Sequence, residues 1–396
     1  MRVLSVTAQK PCSTGSGVYL TEVVRSLAKM GVSQAVVAGV TREDRVDMPE
    51  GVTVYPVYFS SEKLPYPVVG MSDEMPYTST RYRDMTEEMA GQFKAAFLEV
   101  LDEAIEKENP DIILCHHLYY LTALIRAHYP AKKVYGFCHN TDLRQMESIS
   151  FEKNFIRQEI PKLDRIFALQ EAQKEKIKKI YPVSEKQMTV IGTGYNSEVF
   201  KKTGIKSSRK DGKIRMIFAG KITQKKGVKS LLRALNLLDY EKEKIQLILA
   251  GGAGNLVEYE EIKELADGCR YPVVFAGCVT QSRLAELYND CDIFVLPSMY
   301  EGLPLTVIES LACGDRVVMT KLEGIAEWLA DMVPDADIRY VLPPGMKGTD
   351  EPLEEELPAF ESRLAEALRE AIEEKDTKEC DVSRISWQKI AREVIR

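Results

Sequence analysis

Short apolar runs of strand length alternate with helical patterns along most of this 396-residue sequence. Two clear helical patterns run from Gly17 to Met30 and from Thr86 to Glu108. Strand-like segments occur at residues 2–7, 34–40, 52–57, 111–115, 133–138, 165–170 and 187–192. Strands that alternate with helices predict an α/β protein with a mostly parallel, doubly wound sheet. Ligands of such sheets bind beyond the carboxyl ends of the strands, so functional residues are expected in the loops that follow them.

The alternation stops at a polar, basic segment, residues 201–213, and then begins again. The composition of this segment is typical of a linker. Further strand-like segments follow at residues 214–220, 245–251, 273–277 and 292–297. We therefore predict a first domain at residues 1–200, a second at residues 201–380 and a terminal helix at residues 381–396. In that helix Trp387, Ile390 and Val394 share one side and are expected to be buried.

Composition excludes several classes of protein. With 45% hydrophobic residues and a net charge of -7, the chain can bury two cores and shows no general nucleic-acid-binding surface. Its eight cysteines form no CxxC pair, which predicts buried thiols in a reducing compartment. No apolar run approaches the ~20 residues of a spanning helix. These features predict a cytoplasmic protein without a transmembrane segment and leave peripheral membrane contact open.

The stretch from Ser298 to Thr320 has the pattern of a loop, a helix and a strand. Pro304 suits the first turn of the helix, and Gly314 suits the position after its end. Glu309 falls on the helix face opposite the apolar side and is expected to point away from the local core. Glu301 lies in the preceding turn, whose main-chain N–H groups could hold a phosphate. The alternative is that both glutamates are solvated surface charges.

This stretch resembles the signature of the retaining glycosyltransferases of the family-four group, in which seven residues separate two glutamates. Glu301 and Glu309 match these glutamates, and Ala312-Cys313-Gly314 matches the small residues that end the family's helix. The resemblance implies the GT-B fold, with two Rossmann-like doubly wound domains facing across a cleft and the C-terminal helix returning to the first domain. It further implies that the first domain binds the acceptor and the second binds the nucleotide-sugar donor.

Lys221 and Lys226 flank the turn that follows the first strand of the second domain. Their ammonium groups could neutralise a diphosphate leaving group, or they could belong to a solvated basic loop. In the resembled family, an arginine and a lysine at this spacing bind the diphosphate. Lys226 matches the lysine, whereas Lys221 replaces the forked arginine with a point charge. The turn Gly251–Gly254 and the segment Gly277–Val279 resemble the family's segments near the donor and its nucleobase.

No metal site and no cofactor are expected. Asp290-Cys291-Asp292 superficially fits the metal motif of a different transferase fold, but it leads directly into an apolar, strand-like segment. The charge of a leaving group would then be met by lysines and helix dipoles.

Three of the four histidines follow strand-like segments of the first domain. His116 and His117 follow residues 111–115, and His139 follows residues 133–138. Each could be a structural residue held by hydrogen bonds. In the resembled family, however, a histidine of the donor-sugar pocket follows the strand that here precedes His139.

Other candidates lie near the same strand ends. Asp142 and Arg144 form a simple ion pair or contribute to the acceptor site. Gly15 and Gly17 lie in a loop that opens the first helix, which faces the donor phosphates in the resembled family; a tight turn alone would also explain them. The segment from Ser60 to Asp84 lacks clear periodicity and is either an acceptor-recognition loop or an insertion.

The resemblance implies a role for each candidate. The expected catalytic residues are His139, Glu301 and Lys226. The expected donor-binding residues are Gly15, Gly17, Lys221, Lys226, Gly252, Val279, Glu301, Gly302, Leu303, Leu305, Thr306 and Glu309. The expected acceptor-binding residues are His116, His117, Asp142 and Arg144.

The predicted function is a retaining, metal-independent hexosyltransferase that moves a sugar from a nucleotide diphosphate sugar to an unknown hydroxyl acceptor. The expected donor is a UDP-sugar first and a GDP-sugar second, and the expected context is the synthesis of bacterial glycans, glycolipids or glycoconjugates. Two alternatives fit the same architecture. A nucleotide-sugar 2-epimerase would convert the donor without an acceptor, and a non-catalytic subunit would bind nucleotide sugar without transferring it.

Overall fold

The chain forms two units in the computed structural model, which describes residues 1–11, 13–209, 211–253, 255–348, 351–374 and 380–396. Residues 1–194 and 387–396 form the first unit, and residues 195–386 form the second. The boundary at Gly194 precedes the sequence-based boundary at residue 200. Cys12, one of the eight cysteines, Lys210 of the predicted linker and Gly254 of the predicted glycine turn lie outside the described residues.

The first unit is built around a seven-stranded parallel sheet. The strands of this unit are β1 Arg2–Thr7, β2 Ser33–Val40, β3 Thr53–Tyr58, β4 Val69–Gly70, β5 Thr80–Arg81, β6 Ile112–His116, β7 Lys133–Phe137, β8 Arg165–Ala168 and β9 Met188–Val190. Its helices within the first 194 residues are α1 Gly15–Lys29, α2 Glu87–Glu108, α3 Tyr120–His128, α4 Thr141–Ser148, α5 Lys153–Glu159 and α6 Glu171–Ile180. The order in the sheet is β3-β2-β1-β6-β7-β8-β9, and β4 and β5 form a separate pair.

The strands are buried on both faces, as expected for a parallel sheet between helices. In β2, for example, only the first of eight residues is exposed. β1 lies between β2 and β6, so the order of the strands reverses beside β1. Such a switch point is where doubly wound sheets bind ligands. The predicted doubly wound parallel architecture is confirmed.

The segment from Ser60 to Asp84 is more ordered than its lack of periodicity predicts. It contains β4, β5 and a 3-10 turn at Tyr82–Asp84, and the Thr80 N–H donates to the carbonyl of Val68 at 3.1 Å. Six of its side chains belong to the buried core of the first unit: Leu64, Tyr66, Val68, Val69, Met71 and Tyr82. The segment is therefore part of the folded core, and its role in acceptor recognition stays a prediction.

The second unit repeats the same architecture. Its strands are β10 Ile214–Ala219, β11 Ile245–Ala250, β12 Val273–Gly277, β13 Ile293–Leu296, β14 Arg316–Thr320, β15 Ile338–Val341, β16 Met346–Lys347 and β17 Glu351–Pro352. Its helices are α7 Ile205–Ser208, α8 Val228–Asn236, α9 Leu256–Asp267, α10 Gln281–Asp290, α11 Leu305–Ala312, α12 Ile325–Met332 and α13 Leu357–Glu373. The six-stranded parallel sheet has the order β12-β11-β10-β13-β14-β15.

The predicted linker is attached to the second unit by specific polar contacts. Asn289 of α10 accepts hydrogen bonds from the main chain and the hydroxyl of Thr203, both at 2.8 Å, and donates to the carbonyl of Lys201 at 3.0 Å. Lys206 of α7 pairs with Asp315, which is buried. This segment is therefore held to α10 and to the turn after α11, rather than hanging as the flexible chain that its composition suggests.

Residues 387–396 complete the first unit through α14 Trp387–Val394. Its buried side chains are those that its helical spacing predicts, together with Ala391: Trp387, Ile390, Ala391 and Val394. The Trp387 ring packs edge-on against Tyr19 of α1, with 4.9 Å between the ring centroids. Arg165 at the start of β8 pairs with Glu393. The expectation that a terminal helix returns to the first domain is confirmed.

The prediction that the cysteines are buried is wrong for three of those that the structure describes. Cys278 is exposed, and Cys269 and Cys380 are partly buried. Cys278 follows β12, which is an edge strand of its sheet and is itself only partly covered. None of the described helices is both long enough and apolar enough to cross a membrane.

Candidate functional site

In the second unit, the loops after β10 and β13 meet beside the switch point of the sheet, where β10 lies between β11 and β13. The N–H of Met299 donates to the carbonyl of Lys225 at 2.9 Å and ties the two loops together. Gly227 has a φ of 73°, and a Cβ at this position would collide with the carbonyl oxygen of Pro297. Glycine is therefore required for this close approach.

Lys226 and Glu301 form an ion pair across these two loops. Lys226 ends a 3-10 turn, Gln224–Lys226, which Thr223 caps with its hydroxyl. The Lys226 Nζ lies 2.6 Å from the Glu301 Oε1, and the two side chains are 27% and 14% exposed. The structure thus brings together two residues that were predicted to be catalytic. Because both side chains reach solvent, either could exchange its partner for a charged or hydroxyl group of a ligand.

Three other donor-binding candidates lie on neighbouring loops at the same edge of the sheet. Lys221 follows β10, Gly252 follows β11 and Val279 follows β12. The N–H of Ile222 donates to the carbonyl of Gly252 at 3.0 Å, and a Cβ on Gly252 would lie 2.8 Å from the Cys278 Sγ. The three loops are therefore packed against one another.

The remaining candidates surround the start of α11. The helix begins at Leu305, and Pro304 at the N-cap position provides no side-chain hydrogen bond. The first turn also contains no acidic residue. Leu303 is buried, whereas Gly302, Leu305 and Thr306 are partly exposed. The main-chain N–H groups of this turn, with the positive end of the helix dipole, are suited to an anion.

Glu309 is more buried than the polar helix face predicted from the sequence would be. It is only 7% exposed, and its helix, α11, contacts α10, β13 and β14. The negative charge of Glu309 is close enough to Tyr288 to add to the effect of burial, which raises the pKa of that phenol well above its usual range. Glu309 is therefore not a solvated surface charge, and that alternative is wrong for this residue.

In the first unit, the three strand-end histidines form one cluster. His116 is the last residue of β6, His117 follows it, and His139 lies just beyond β7. The His116 Nδ1 lies 3.1 Å from the His139 Nε2. The His117 Nε2 lies 2.7 Å from the Gln9 Nε2 and 3.1 Å from the Ser16 Oγ. We call these five residues the histidine cluster; they bring together the carboxyl ends of β1, β6 and β7.

Burial keeps the three imidazoles neutral. His116 and His117 are 3% and 4% exposed, and burial together with the neighbouring imidazoles lowers the pKa of each well below its usual range. Burial lowers the pKa of His139 to about 3. A neutral imidazole carries one N–H donor and one acceptor nitrogen. The cluster can therefore hydrogen-bond a ligand at neutral pH, but it contributes no positive charge.

Asp142 and Arg144 do not form the ion pair that was one expectation. Asp142 is 0% exposed and accepts the main-chain N–H groups of Leu118 at 2.7 Å and His139 at 3.2 Å. Burial raises the pKa of Asp142, and these hydrogen bonds oppose that rise. Arg144 instead pairs with Asp73 at 3.2 Å. In this structure the Asp142 carboxylate joins the loops after β6 and β7, and its role in acceptor binding stays a prediction.

Two residues in these loops have left-handed backbone conformations. The φ angles of His117 and Asn140 are 76° and 72°. Such conformations cost non-glycine residues roughly 1–3 kcal/mol and are concentrated at functional sites. Asp142 accepts hydrogen bonds from the residue after His117 and from the residue before Asn140. The carboxylate thus stabilises both strained turns and sets the position of His139.

Gly15 and Gly17 lie in the first turn of α1. Thr14 caps this helix by accepting the N–H of Gly17 at 3.1 Å. A Cβ on Gly15 would meet no atom within 4 Å, so the space beside this residue is open. Ser16 lies between the two glycines and contacts His117, which places the glycine turn beside the histidine cluster.

Sequence reasoning missed Gln9, Ser16 and Tyr19. Gln9 follows β1 and is 2% exposed, and its position after a strand was a signal that could have identified it. The Tyr19 ring packs edge-on against His139 with 5.2 Å between centroids, and its hydroxyl donates to the carbonyl of Gly192 at 3.0 Å. No sequence pattern indicates this contact, because it depends on how α1 packs against the sheet.

No group of three or more His, Cys, Asp or Glu side chains is arranged to hold a metal ion among the described residues. Asp292, from the motif that was rejected as a metal site, accepts the N–H of Arg215 at 2.9 Å and pairs with Arg209. It serves as a structural acceptor next to β10.

Two family profiles match consecutive parts of the chain. The family described as Glycosyltransferase Family 4 matches residues 13–199, and the family described as Glycosyl transferases group 1 matches residues 200–348. The boundary between the two matches lies close to the boundary between the two units of the structure.

Individual proteins show the same similarity. D-inositol 3-phosphate glycosyltransferase 2 of Catenulispora acidiphila is 25% identical over 347 residues, which cover 80% of this chain and 76% of that protein. An uncharacterized glycosyltransferase of Methanocaldococcus jannaschii is 29% identical over 172 residues, or 41% of this chain and 44% of that protein. The chain thus spans about half the length of the first curated relatives that it matches.

A solved structure shows that the fold is shared. HepE of Anabaena in complex with UDP has a TM-score of 0.65 at 16% identity, covering 100% of this chain and 98% of that one. The same protein in complex with UDP-glucose has a TM-score of 0.63 at 15% identity over the same shares of the two chains.

Proposed function

Because the chain belongs to the family-four glycosyltransferases and has their GT-B fold, we propose that it transfers a sugar from a nucleotide diphosphate sugar to a hydroxyl acceptor with retention of configuration. One observation carries the proposal. In the second unit, the Lys226 Nζ lies 2.6 Å from the Glu301 Oε1. The two residues meet where the loop after β10 contacts the loop that leads from β13 into α11. A cation, a carboxylate and a helix amino end are the groups needed to hold a diphosphate and a sugar.

The lysines act on the leaving group. As the bond to the sugar breaks, negative charge grows on the diphosphate, and donors that are already in place lower the barrier. Lys226 supplies one positive charge, Lys221 supplies a second from the same strand end, and the N–H groups at the start of α11 supply fixed dipoles. These groups meet the charge without a metal ion.

The carboxylates act on hydroxyl groups of the donor. Glu301 accepts hydrogen bonds from the sugar once Lys226 has turned to the diphosphate. Glu309 accepts from the ribose, and its low exposure strengthens that contact because little water competes for the carboxylate. His139 holds the donor sugar through a neutral hydrogen bond, as the family resemblance implies.

We propose a UDP-sugar as the donor and a GDP-sugar as the next candidate. UDP and UDP-glucose occur in the HepE complexes that share this fold. The partly exposed segment after β12, with Val279, is where we expect the nucleobase. The acceptor is a hydroxyl compound of glycan, glycolipid or glycoconjugate synthesis.

The test begins with a thermal-shift panel of UDP-, GDP-, ADP- and TDP-sugars, since a ligand that binds only the folded protein raises the melting temperature. The sugar that binds is then incubated with and without acceptor extract, and the products are analysed by NMR for their anomeric configuration. Transfer with retention supports the proposal. A 2-epimer formed from donor alone, or tight binding without transfer to any extract, contradicts it.

A further inference from the structure

His116 and His139 are joined by a direct hydrogen bond between their rings. The His116 Nδ1 lies 3.1 Å from the His139 Nε2, and the ring planes differ by 12°. The ring centroids are 5.3 Å apart, which is close to this N···N distance plus the two ring radii. The nitrogens therefore face each other nearly within the ring planes, which is the geometry of a good N–H···N hydrogen bond.

Such a bond needs one proton between the two nitrogens. Both rings are neutral near pH 7, because burial lowers the pKa of each. A neutral imidazole donates from one nitrogen and accepts at the other. If His116 donates from Nδ1, His139 accepts at Nε2 and carries its own proton on Nδ1. If His139 donates from Nε2, His116 must carry its proton on Nε2.

The surroundings of His116 favour the first arrangement. Its Nε2 is buried and has no hydrogen-bond partner among the described residues. Its ring stacks on Phe137 with 4.8 Å between centroids, which offers no acceptor. A proton on this nitrogen would be a buried N–H without a partner, and such orphaned donors are rarer in folded proteins than under-used acceptors. The proton is better placed on Nδ1, where His139 accepts it.

We propose that His116 is a positioning residue that holds His139 in its Nδ1–H tautomer, so that His139 offers a hydrogen-bond donor to an oxygen of the substrate. The described residues give the His139 ring a hydrogen bond at Nε2 only, which leaves Nδ1 for a ligand. His139 is also partly exposed, whereas His116 is only 3% exposed. The part of the proposal that concerns substrate rests on the proposed transferase function.

The tautomer can be measured without any substrate. In protein with 15N-labelled histidine, NMR spectra that detect long-range couplings between ring protons and ring nitrogens distinguish protonated from unprotonated nitrogens. The chain has only four histidines, and His128→Gln and His139→Gln variants assign two of the four signals. We expect Nδ1 of His139 to be protonated in the wild-type protein and the Nε2–H form to grow in His116→Leu, which removes the donor. A protonated Nε2 in the wild type, or an unchanged His139 signal in His116→Leu, overturns the proposal.

A pair of variants tests the effect on the reaction. His116→Leu should lower kcat by about tenfold or more while the KM for the donor stays within about twofold. His116→Asn places an amide N–H₂ near the former Nδ1 and should restore most of the lost kcat. Equal loss in both variants contradicts positioning through a hydrogen bond. If the wild-type protein transfers no sugar, the proposed function fails, and the NMR result alone decides the tautomer; if His116→Leu does not fold, the wild-type spectrum and His116→Asn decide it.

Discussion

Replacing Glu301 with glutamine should strengthen UDP binding and weaken sugar transfer at the same time. In the structure, the ammonium of Lys226 is held by Glu301 at 2.6 Å. A diphosphate must compete with this carboxylate for the lysine. Glu301→Gln keeps the size of the side chain but removes its charge, so Lys226 becomes available to the diphosphate. The sugar then loses its carboxylate contact, and kcat should fall.

The size of the effect follows from the distance and the exposure of the pair. Two unit charges 2.6 Å apart attract by about 6 kcal/mol at an effective dielectric constant of about 20, before desolvation is counted. The side chains of Lys226 and Glu301 are 27% and 14% exposed, so water screens much of this attraction. Exposed pairs contribute about 0.2–1 kcal/mol, and breaking buried ones costs about 3–5 kcal/mol. We expect a net gain of roughly 1–2 kcal/mol, which is about 5- to 30-fold in the Kd for UDP.

The assay is calorimetric titration of UDP at fixed ionic strength into four proteins: wild type, Glu301→Gln, Lys226→Ala and the double variant. In the Lys226→Ala background, the gain from Glu301→Gln should shrink to about twofold, since the lysine that it releases is gone. The chain offers a matched control. Lys229 of α8 and Glu261 of α9 are also 2.6 Å apart, and Glu261→Gln should leave UDP affinity unchanged.

Two outcomes would refute this reasoning. If Glu301→Gln binds UDP no better than the wild type, the ion pair does not compete with the diphosphate. If Glu261→Gln improves binding as much as Glu301→Gln does, the effect is one of overall charge. If the nucleotide panel selects GDP, the same titrations are made with GDP.

Three further results are expected. Asp142→Asn should lower the free energy of unfolding by roughly 1–3 kcal/mol, because a buried N–H loses its carboxylate partner; an unchanged urea midpoint would argue against this. Burial lowers the pKa of His116, His117 and His139. Below about pH 6.5 these histidines therefore bind protons in the unfolded chain but not in the folded protein. The contribution of these histidines to the free energy of unfolding should therefore be fully present above pH 6.5. It should fall toward pH 3 by up to ~1.4 kcal/mol per pH unit for each histidine. Urea titrations at several pH values should show that the free energy of unfolding depends less steeply on pH in His139→Gln than in the wild type. Excess EDTA should leave the transfer rate within about twofold, since lysines and helix N–H groups meet the leaving-group charge; a loss that Mg²⁺ restores would contradict the proposed mechanism.

The positions of most helices and strands could be predicted because local signals define them. Pro304 and the apolar residues after it predicted a helix that starts near Leu305, and α11 begins there. Thr86 and Glu108 bracket α2 within one residue. Such signals depend on spacing and on terminal residues, and these are fully present in the sequence.

Contacts between distant segments could not be predicted in the same way. The periodicity of α11 placed Glu309 on a polar face, but the residue is only 7% exposed in a helix that contacts α10, β13 and β14. Lys226 and Glu301 are 75 positions apart in the chain, and each was selected without a sign that they form a pair. Asp142 looked like a partner for a nearby arginine, because sequence proximity says nothing about buried main-chain N–H groups that need an acceptor.

The return of α14 to α1 has a consequence for the order in which the protein can fold during its synthesis. Trp387 covers the ring of Tyr19, and that ring in turn packs against His139. A nascent chain that has emerged from the ribosome only as far as residue 194 still lacks this cover. The first unit can collapse early, but its last layer forms only after translation has passed through the whole second unit.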